Sequence, residues 1–382
     1  MADKFQTGKV VTISFGHLIN DTYSAFFAPM LPLLIAKLGL SLSLVGLLDV
    51  VRKIPSLFNP FIGLLADKMC VKYIVIWTPG FTALFMSLVG LSPSYLILFI
   101  LLFVSGISST LFHVPAPVMI KHLSAEKTGA GMSYFMFGGE LARTLGPLII
   151  TAAMSLWGLE GSFRTMPVGV LASAILYFKL KDIQPISRNN KNNKTNAGAT
   201  IRRLVPFFIA ISAYQFFRAA MKSALTLYLP TYLASRGESL WVAGISLSII
   251  QFAGAGGVFL TGFIADKISH RTMLLILAVT SPFLMFAFVT ANKVLMIPLL
   301  ILLGFVVFAS GPVILALVQD TNTERPAFVN GIYMTLNFTL SSVMALAVGI
   351  SGDRLGLEST FQLCAWAAFL SLPFVFLLKR KA

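Results

Sequence analysis

The strongest constraint on this chain is a series of apolar stretches, each close to the length, about 20 residues, that crosses a bilayer as a helix. Twelve can be marked, over residues 10–36, 43–66, 73–91, 95–120, 129–155, 164–181, 204–234, 241–264, 272–290, 294–318, 327–351 and 359–378. Of the 382 residues, 57% are hydrophobic and only 11% charged. A soluble chain carries about 25% charged residues and needs them to cover its domains. The 33 Phe exclude a disordered chain, and two Cys exclude a disulfide scaffold. Helices and closed barrels are the structures that satisfy every backbone N–H and C=O inside lipid. The spacing therefore predicts an all-α integral membrane protein with twelve transmembrane helices.

One break differs from the short ones. Residues 182–203 include the polar run Arg188–Lys194 and read as a flexible linker. The expected division is a six-helix bundle over 1–181, the linker 182–203, and a second bundle over 204–382. With the N-terminus inside, 19 of the 29 Lys and Arg fall in inner segments and five outside, namely Lys37, Arg164, Arg236, Lys293 and Arg354. The remaining five, Arg52, Lys53, Arg143, Arg218 and Lys222, sit within apolar stretches. Inner loops carry the excess of Lys and Arg. Both termini are therefore expected in the cytoplasm, and the net charge of +15 follows without nucleic acid as a partner. His17, Asn20 and Asp21 interrupt the first stretch, which reads as a retained helix rather than a signal peptide.

The two halves repeat. Leu31, Pro32, Ala36, Gly39 and Gly46 match Leu229, Pro230, Ala234, Gly237 and Gly244 at an offset of 198. GLLADK at 63–68 matches GFIADK at 262–267 at an offset of 199. Parallel repeats of this kind belong to transporters with a site between the halves.

The repeated segment resembles the loop motif of the major facilitator superfamily. The motif is carried by Gly63, Asp67 and Lys68 in the first copy and by Gly262, Asp266 and Lys267 in the second; Cys70 replaces the motif's second glycine. Within that superfamily, the chain resembles the fosmidomycin-resistance group in Gly16-His17-Leu18-Ile19-Asn20-Asp21, Phe112-His113-Val114-Pro115, Gly138-Gly139-Glu140 with Leu145-Gly146-Pro147, and Arg218 ahead of Leu229-Pro230. It departs from that group at Glu140, where an uncharged amide is usual, and at Arg143. The resemblance implies proton-driven efflux of small polar or anionic compounds across a bacterial inner membrane, with no cofactor.

A charge at the centre of a membrane helix costs about 2.5–3.5 kcal/mol or more. At about 1.5 Å per residue, Asp21 and Glu140 lie roughly 17 Å into their helices, Arg218 roughly 22 Å, and His113 about 12 Å from the inner end of its helix. His17 and Asp21 share a helix face, as do Arg218 and Lys222, and Glu140 and Arg143. Asp21 is the first candidate for the coupling proton, followed by Glu140, with His17 and His113 next. Arg218 is the candidate for the anionic group of a substrate, because its planar fork suits carboxylate or phosphonate oxygens. Lys222, Asn20, Arg143, Tyr23, Tyr214 and Gln215 are further substrate-binding candidates. Two plainer readings stand beside these: a neutralised structural pair at Glu140–Arg143 and an ion pair between Asp21 and Arg218. Arg52 is expected to snorkel outward.

The leading reading is a monomeric proton-coupled exporter working by alternating access, with protons and a small anionic or amphiphilic molecule as its ligands. The alternative is a proton symporter importing an organic acid; an uncoupled facilitator or channel ranks below both. No nucleotide loop, nucleophile elbow or metal-ligand spacing points to an enzyme, a metal or an ATP-driven pump.

Overall fold

A computed structural model describes residues 5–59, 62, 71–124, 128–183, 197–319, 321 and 326–378. The first loop motif, with Gly63, Asp67, Lys68 and Cys70, and most of the 182–203 linker lie outside the described residues. All regular elements among those described are helices: α1 Thr7–Ser24, α2 Phe27–Leu38, α3 Leu42–Lys53, α4 Lys72–Leu88, α5 Tyr95–His113, α6 Pro115–Leu123, α7 Thr128–Gly161, α8 Met166–Leu180, α9 Ala197–Ser223, α10 Leu229–Ser235, α11 Leu240–Ile268, α12 His270–Thr290, α13 Lys293–Phe308, α14 Ser310–Gln319, α15 Pro326–Phe369 and α16 Leu372–Phe376. Nine stretches among them are long and apolar enough to cross a membrane. Their outward side chains are apolar: Phe137, Leu156, Phe178, Phe252 and Val294 are each more than 60% exposed. Such a surface suits lipid and not water.

The duplication seen in the sequence is present in the backbone. The positive-φ glycines are Gly39 and Gly237, and Gly158 and Gly356, two pairs each 198 residues apart. Gly39 and Gly237 end helices in the left-handed conformation that glycine adopts at least cost. Gly158 breaks α7 just before its end, and Gly356 breaks α15 into two helical segments joined at a kink. A third pair is a packing contact. A side chain on Gly106 would strike the carbonyl of Arg52, and one on Gly304 would strike the carbonyl of Ile250, with both partners again 198 apart. Without a hydrophobic drive between helices in lipid, such close backbone approach is what holds them together. The Gly254–Gly257 run belongs to the same packing face as Gly304, against Phe305 and Phe308.

Contacts divide the chain into two units, Met1–Leu40 with Val51–Asn190 and Leu233–Ser248, and Ser41–Val50 with Lys191–Tyr232 and Ile249–Ala382. In the first unit a buried cluster joins Val10 and Ile13 of α1, Val75 and Ile76 of α4, Phe112 of α5 and Leu176 of α8. In the second, Tyr214 of α9 packs with Leu274 and Leu277 of α12 and Ile314 of α14. Also in the second unit, the Tyr228 hydroxyl lies 3.1 Å from the Leu42 carbonyl and 2.8 Å from that of Ala345, and a side chain on Gly46 would meet that hydroxyl at 2.9 Å.

Arg52 does not snorkel outward. Its Nη1 donates to the Ser24 carbonyl at 2.7 Å, and its guanidinium lies over the Phe27 ring at 5.6 Å. The carbonyl of Ser24 is open to it because α1 breaks at Ala25–Phe26, which frees acceptors at the helix end.

Candidate functional site

The first unit holds a protonatable cluster on α1. His17 lies one turn before Asp21, and its Nε2 is 3.3 Å from Asp21 Oδ2. The imidazole is fixed on its other side: Nδ1 lies 2.7 Å from the Phe135 carbonyl of α7, and the ring stacks on the Phe135 ring at 3.9 Å between centroids. Gly139 makes room for it, since a Cβ there would stand 2.6 Å from His17 Cε1. Gly138 and Gly146 extend the strip, letting α7 lie directly on the α1 backbone at Ser14 and Thr22. The Gly138-Gly139 and Gly146-Pro147 segments therefore set the depth of the cluster.

His113 ends α5, just ahead of Pro115, and faces the same carboxylate from the other side. Its Nε2 is 3.1 Å from Asp21 Oδ1, and its Nδ1 is 2.8 Å from the Ser109 carbonyl. Among the described residues this trio brings its donor atoms within 4.8 Å of one another, close enough to share a small cation. Asn20, fully buried, donates from Nδ2 to Asp21 Oδ1 at 3.0 Å, and its Oδ1 lies 2.9 Å from the Thr82 hydroxyl. Thr82 continues to Ser108, and Ser108 donates to the Thr78 carbonyl. Asn20 therefore braces Asp21 against α4 and α5. On α7, Arg143 Nη2 and Glu140 Oε1 pair at 3.1 Å, which makes the neutralised pair anticipated from their spacing.

The second unit holds the cation. Arg218 of α9 is only 5% exposed. Its Nη1 donates to the Leu277 carbonyl and to Ser281 Oγ, each at 2.9 Å, and its guanidinium lies 5.5 Å over the Tyr214 ring. Its Nη2 is buried and has no hydrogen-bond partner among the described residues. One turn earlier on α9, Gln215 Nε2 is in the same condition. These two buried donors, three residues apart on α9, are without acceptors among the described residues, and a buried unsatisfied donor costs about 1–3 kcal/mol. Below them α9 passes into a π turn at Ala224–Tyr228. Such turns are frequent at functional sites.

The remaining candidates are placed as follows. Tyr23 is buried, with its hydroxyl between the Thr165 carbonyl and the Gly169 N–H, so it braces α8. Tyr214 is fully buried beneath Arg218. Lys222 is exposed and lies 5.4 Å over the Phe308 ring. Gly262, Asp266 and Lys267 lie in the last turns of α11. Phe135, Ser109, Thr82 and Ser281 contact these groups and carried no sequence signal: Phe135 and Ser109 act through backbone carbonyls that any helix supplies, and Thr82 and Ser281 through hydroxyls common in helices.

The Major Facilitator Superfamily model matches residues 13–346. The chain is similar to the fosmidomycin resistance protein of Escherichia coli strain K12, with 24% identity over 97% of this chain and 92% of that protein. Among solved structures it resembles a bacterial homologue of the human lysosomal transporter Spinster, inward-facing and occupied, at TM-score 0.83 and 14% identity over 98% and 97% of the two chains. It also resembles a D-xylose–proton symporter at TM-score 0.76 and 16% identity, over 98% of each chain. The duplicated helical architecture and the match across most of its length establish that this protein belongs to the Major Facilitator Superfamily of membrane transporters.

Proposed function

We propose that the protein is a proton-coupled exporter of small organic anions, an antiporter of the bacterial inner membrane with both termini cytoplasmic. The observation that carries this reading is the pair of open buried donors, Arg218 Nη2 and Gln215 Nε2. A guanidinium held by Leu277 and Ser281 through one nitrogen presents the other to a ligand without having to reorganise. Carboxylate or phosphonate oxygens match that donor set, and charge-assisted bonds are the strong ones. Similarity to a fosmidomycin resistance protein supports a phosphonate among the substrates. The proton is carried at Asp21 with its two imidazoles, and Glu140 is paired with Arg143.

The test is fosmidomycin transport into proteoliposomes under an imposed pH gradient. Arg218→Ala is expected to weaken apparent affinity by at least about tenfold, since a hydrogen bond to a charged group contributes about 1.5–3 kcal/mol. Unchanged affinity in Arg218→Ala, or preferred transport of hydrophobic cations by the wild type, would remove the anion assignment.

A further inference from the structure

We propose that His17, Asp21 and His113 act as one site that takes up two protons, one on each imidazole, rather than as a lone carboxylate. The inference deepens the assignment of Asp21 above and rests on it only for its role in transport; the proton count follows from local geometry.

Each imidazole has its Nδ1 against a backbone carbonyl, Phe135 for His17 and Ser109 for His113. A carbonyl oxygen can only accept, so each Nδ1 carries hydrogen. In a neutral imidazole the Nε2 then bears a lone pair. Both Nε2 atoms lie close to a carboxylate oxygen, at 3.3 Å for His17 and 3.1 Å for His113. Acceptor against acceptor is repulsive in a buried place, and each contact becomes attractive only with a proton on that Nε2. The two rings address different oxygens, Oδ2 and Oδ1, so a single shared proton cannot serve both. The arrangement is therefore that of the doubly protonated site, whose local charge goes from −1 empty to +1 filled.

The two positions are not equivalent. His17 is almost wholly buried, and its Nε2 lacks an aligned hydrogen-bond acceptor although the carboxylate is near. His113 is 39% exposed at its side chain and makes the shorter contact, so it is the port through which protons enter and leave. The charged groups on the surrounding helices are Arg143 and Glu140 of α7, paired with each other, and Arg52 of α3, held at the Ser24 carbonyl. The hydroxyl groups of Thr82 and Ser108 on α4 and α5 do not titrate. Asn20 adds a neutral donor to Oδ1. No second carboxylate among these groups is left to neutralise a filled site of charge +1, so a filled site favours binding of an anion at the protein's other polar site only if the two are coupled.

The experiment is nitrogen NMR of isotope-labelled histidine in the purified full-length protein in detergent. The chain has four His, so His17→Gln and His113→Gln assign two signals, and His122 and His270 serve as internal controls of folding. As pH falls from about 9 to about 5, both His17 and His113 are expected to pass from the Nδ1–H neutral form to the imidazolium, with the imidazolium signals reduced in Asp21→Asn while the control signals stay in place. If either ring stays neutral throughout, or either carries its neutral hydrogen on Nε2, the two-proton site is wrong. That result leaves pH-driven fosmidomycin transport untouched if Asp21 alone is the carrier, so the two assignments fail separately.

Discussion

Arg218 stands 198 residues after Asn20, and the duplicated position holds a buried hydrogen-bond donor in both halves, neutral in the first and charged in the second. Asn20 is fully buried and donates to a carboxylate; Arg218 is buried and presents an open donor of its own. The backbone pairs Gly39–Gly237 and Gly158–Gly356 keep the same offset, so the equivalence is structural as well as sequential.

Arg218→Lys should not rescue Arg218→Ala. A lysine places one point charge where a planar fork uses one nitrogen for Leu277 and Ser281 and leaves the other open. Gln215→Leu removes a neutral donor and should weaken fosmidomycin binding by about two- to tenfold, less than Arg218→Ala. Equilibrium binding to the purified protein checks the order; a Gln215→Leu effect as large as that of Arg218→Ala would mean that the glutamine, not the arginine, anchors the ligand.

Gly139→Ala should disturb the proton site while leaving the anion site intact. The added methyl meets the His17 ring at 2.6 Å, and overpacking of this kind costs about 1–3 kcal/mol. Gly331→Ala meets nothing within 4 Å and is the control. The expected outcome is loss of pH-driven accumulation in Gly139→Ala with fosmidomycin binding retained. Equal behaviour of the two variants would contradict the packing account.

Gly106→Ala and Gly304→Ala should destabilise alike, each by about 1–3 kcal/mol, because each methyl would press on a carbonyl that cannot move without its helix. Thermal unfolding in detergent reads this directly. If only one of the two lowers the midpoint, the repeat is not mechanically equivalent in its halves.

Asp353 lies between the apolar stretches 327–351 and 359–378 and accepts from the Leu42 and Ser43 N–H groups at 2.6 and 2.9 Å. Burial pushes its carboxyl up, but the bonds from Ser43, Leu42 and Ser41 outweigh it and hold the group below its ordinary value. A depressed folded pKa contributes stability above the unfolded value, about 3.9, and that stability is lost as pH falls through the folded value. Asp353→Asn should therefore lower thermal stability at neutral pH, with the gap to wild type closing in acid. A gap that is constant with pH would show that charge is not involved.

Much of this was legible in the chain. The apolar spacing and the offset of 198 predicted the helices and their duplication, because bilayer thickness and glycine backbone requirements write directly into sequence. Asp21, His17, His113 and Arg218 stood out because buried charge is costly. What the chain concealed is the orientation of those groups. His17 is set by the Phe135 carbonyl and Arg218 by that of Leu277, and a carbonyl has no residue type. Asn20, expected to meet substrate, is engaged by Asp21, Thr82 and Ser109, and Tyr23 is engaged by Thr165 and Gly169. Arg52 turned inward because a helix break at Ala25 freed an acceptor that hydropathy does not reveal.

The central claim is that protons and anion bind at separate sites that are coupled through transport. Asp21→Asn in proteoliposomes tests it most directly, with fosmidomycin accumulation under a pH gradient and fosmidomycin exchange at equal pH measured on the same preparation. The account predicts that accumulation is abolished while exchange continues, and that Arg218→Ala loses both. Retention of pH-driven accumulation by Asp21→Asn would contradict it, and its loss in Glu140→Gln instead would move the proton to α7.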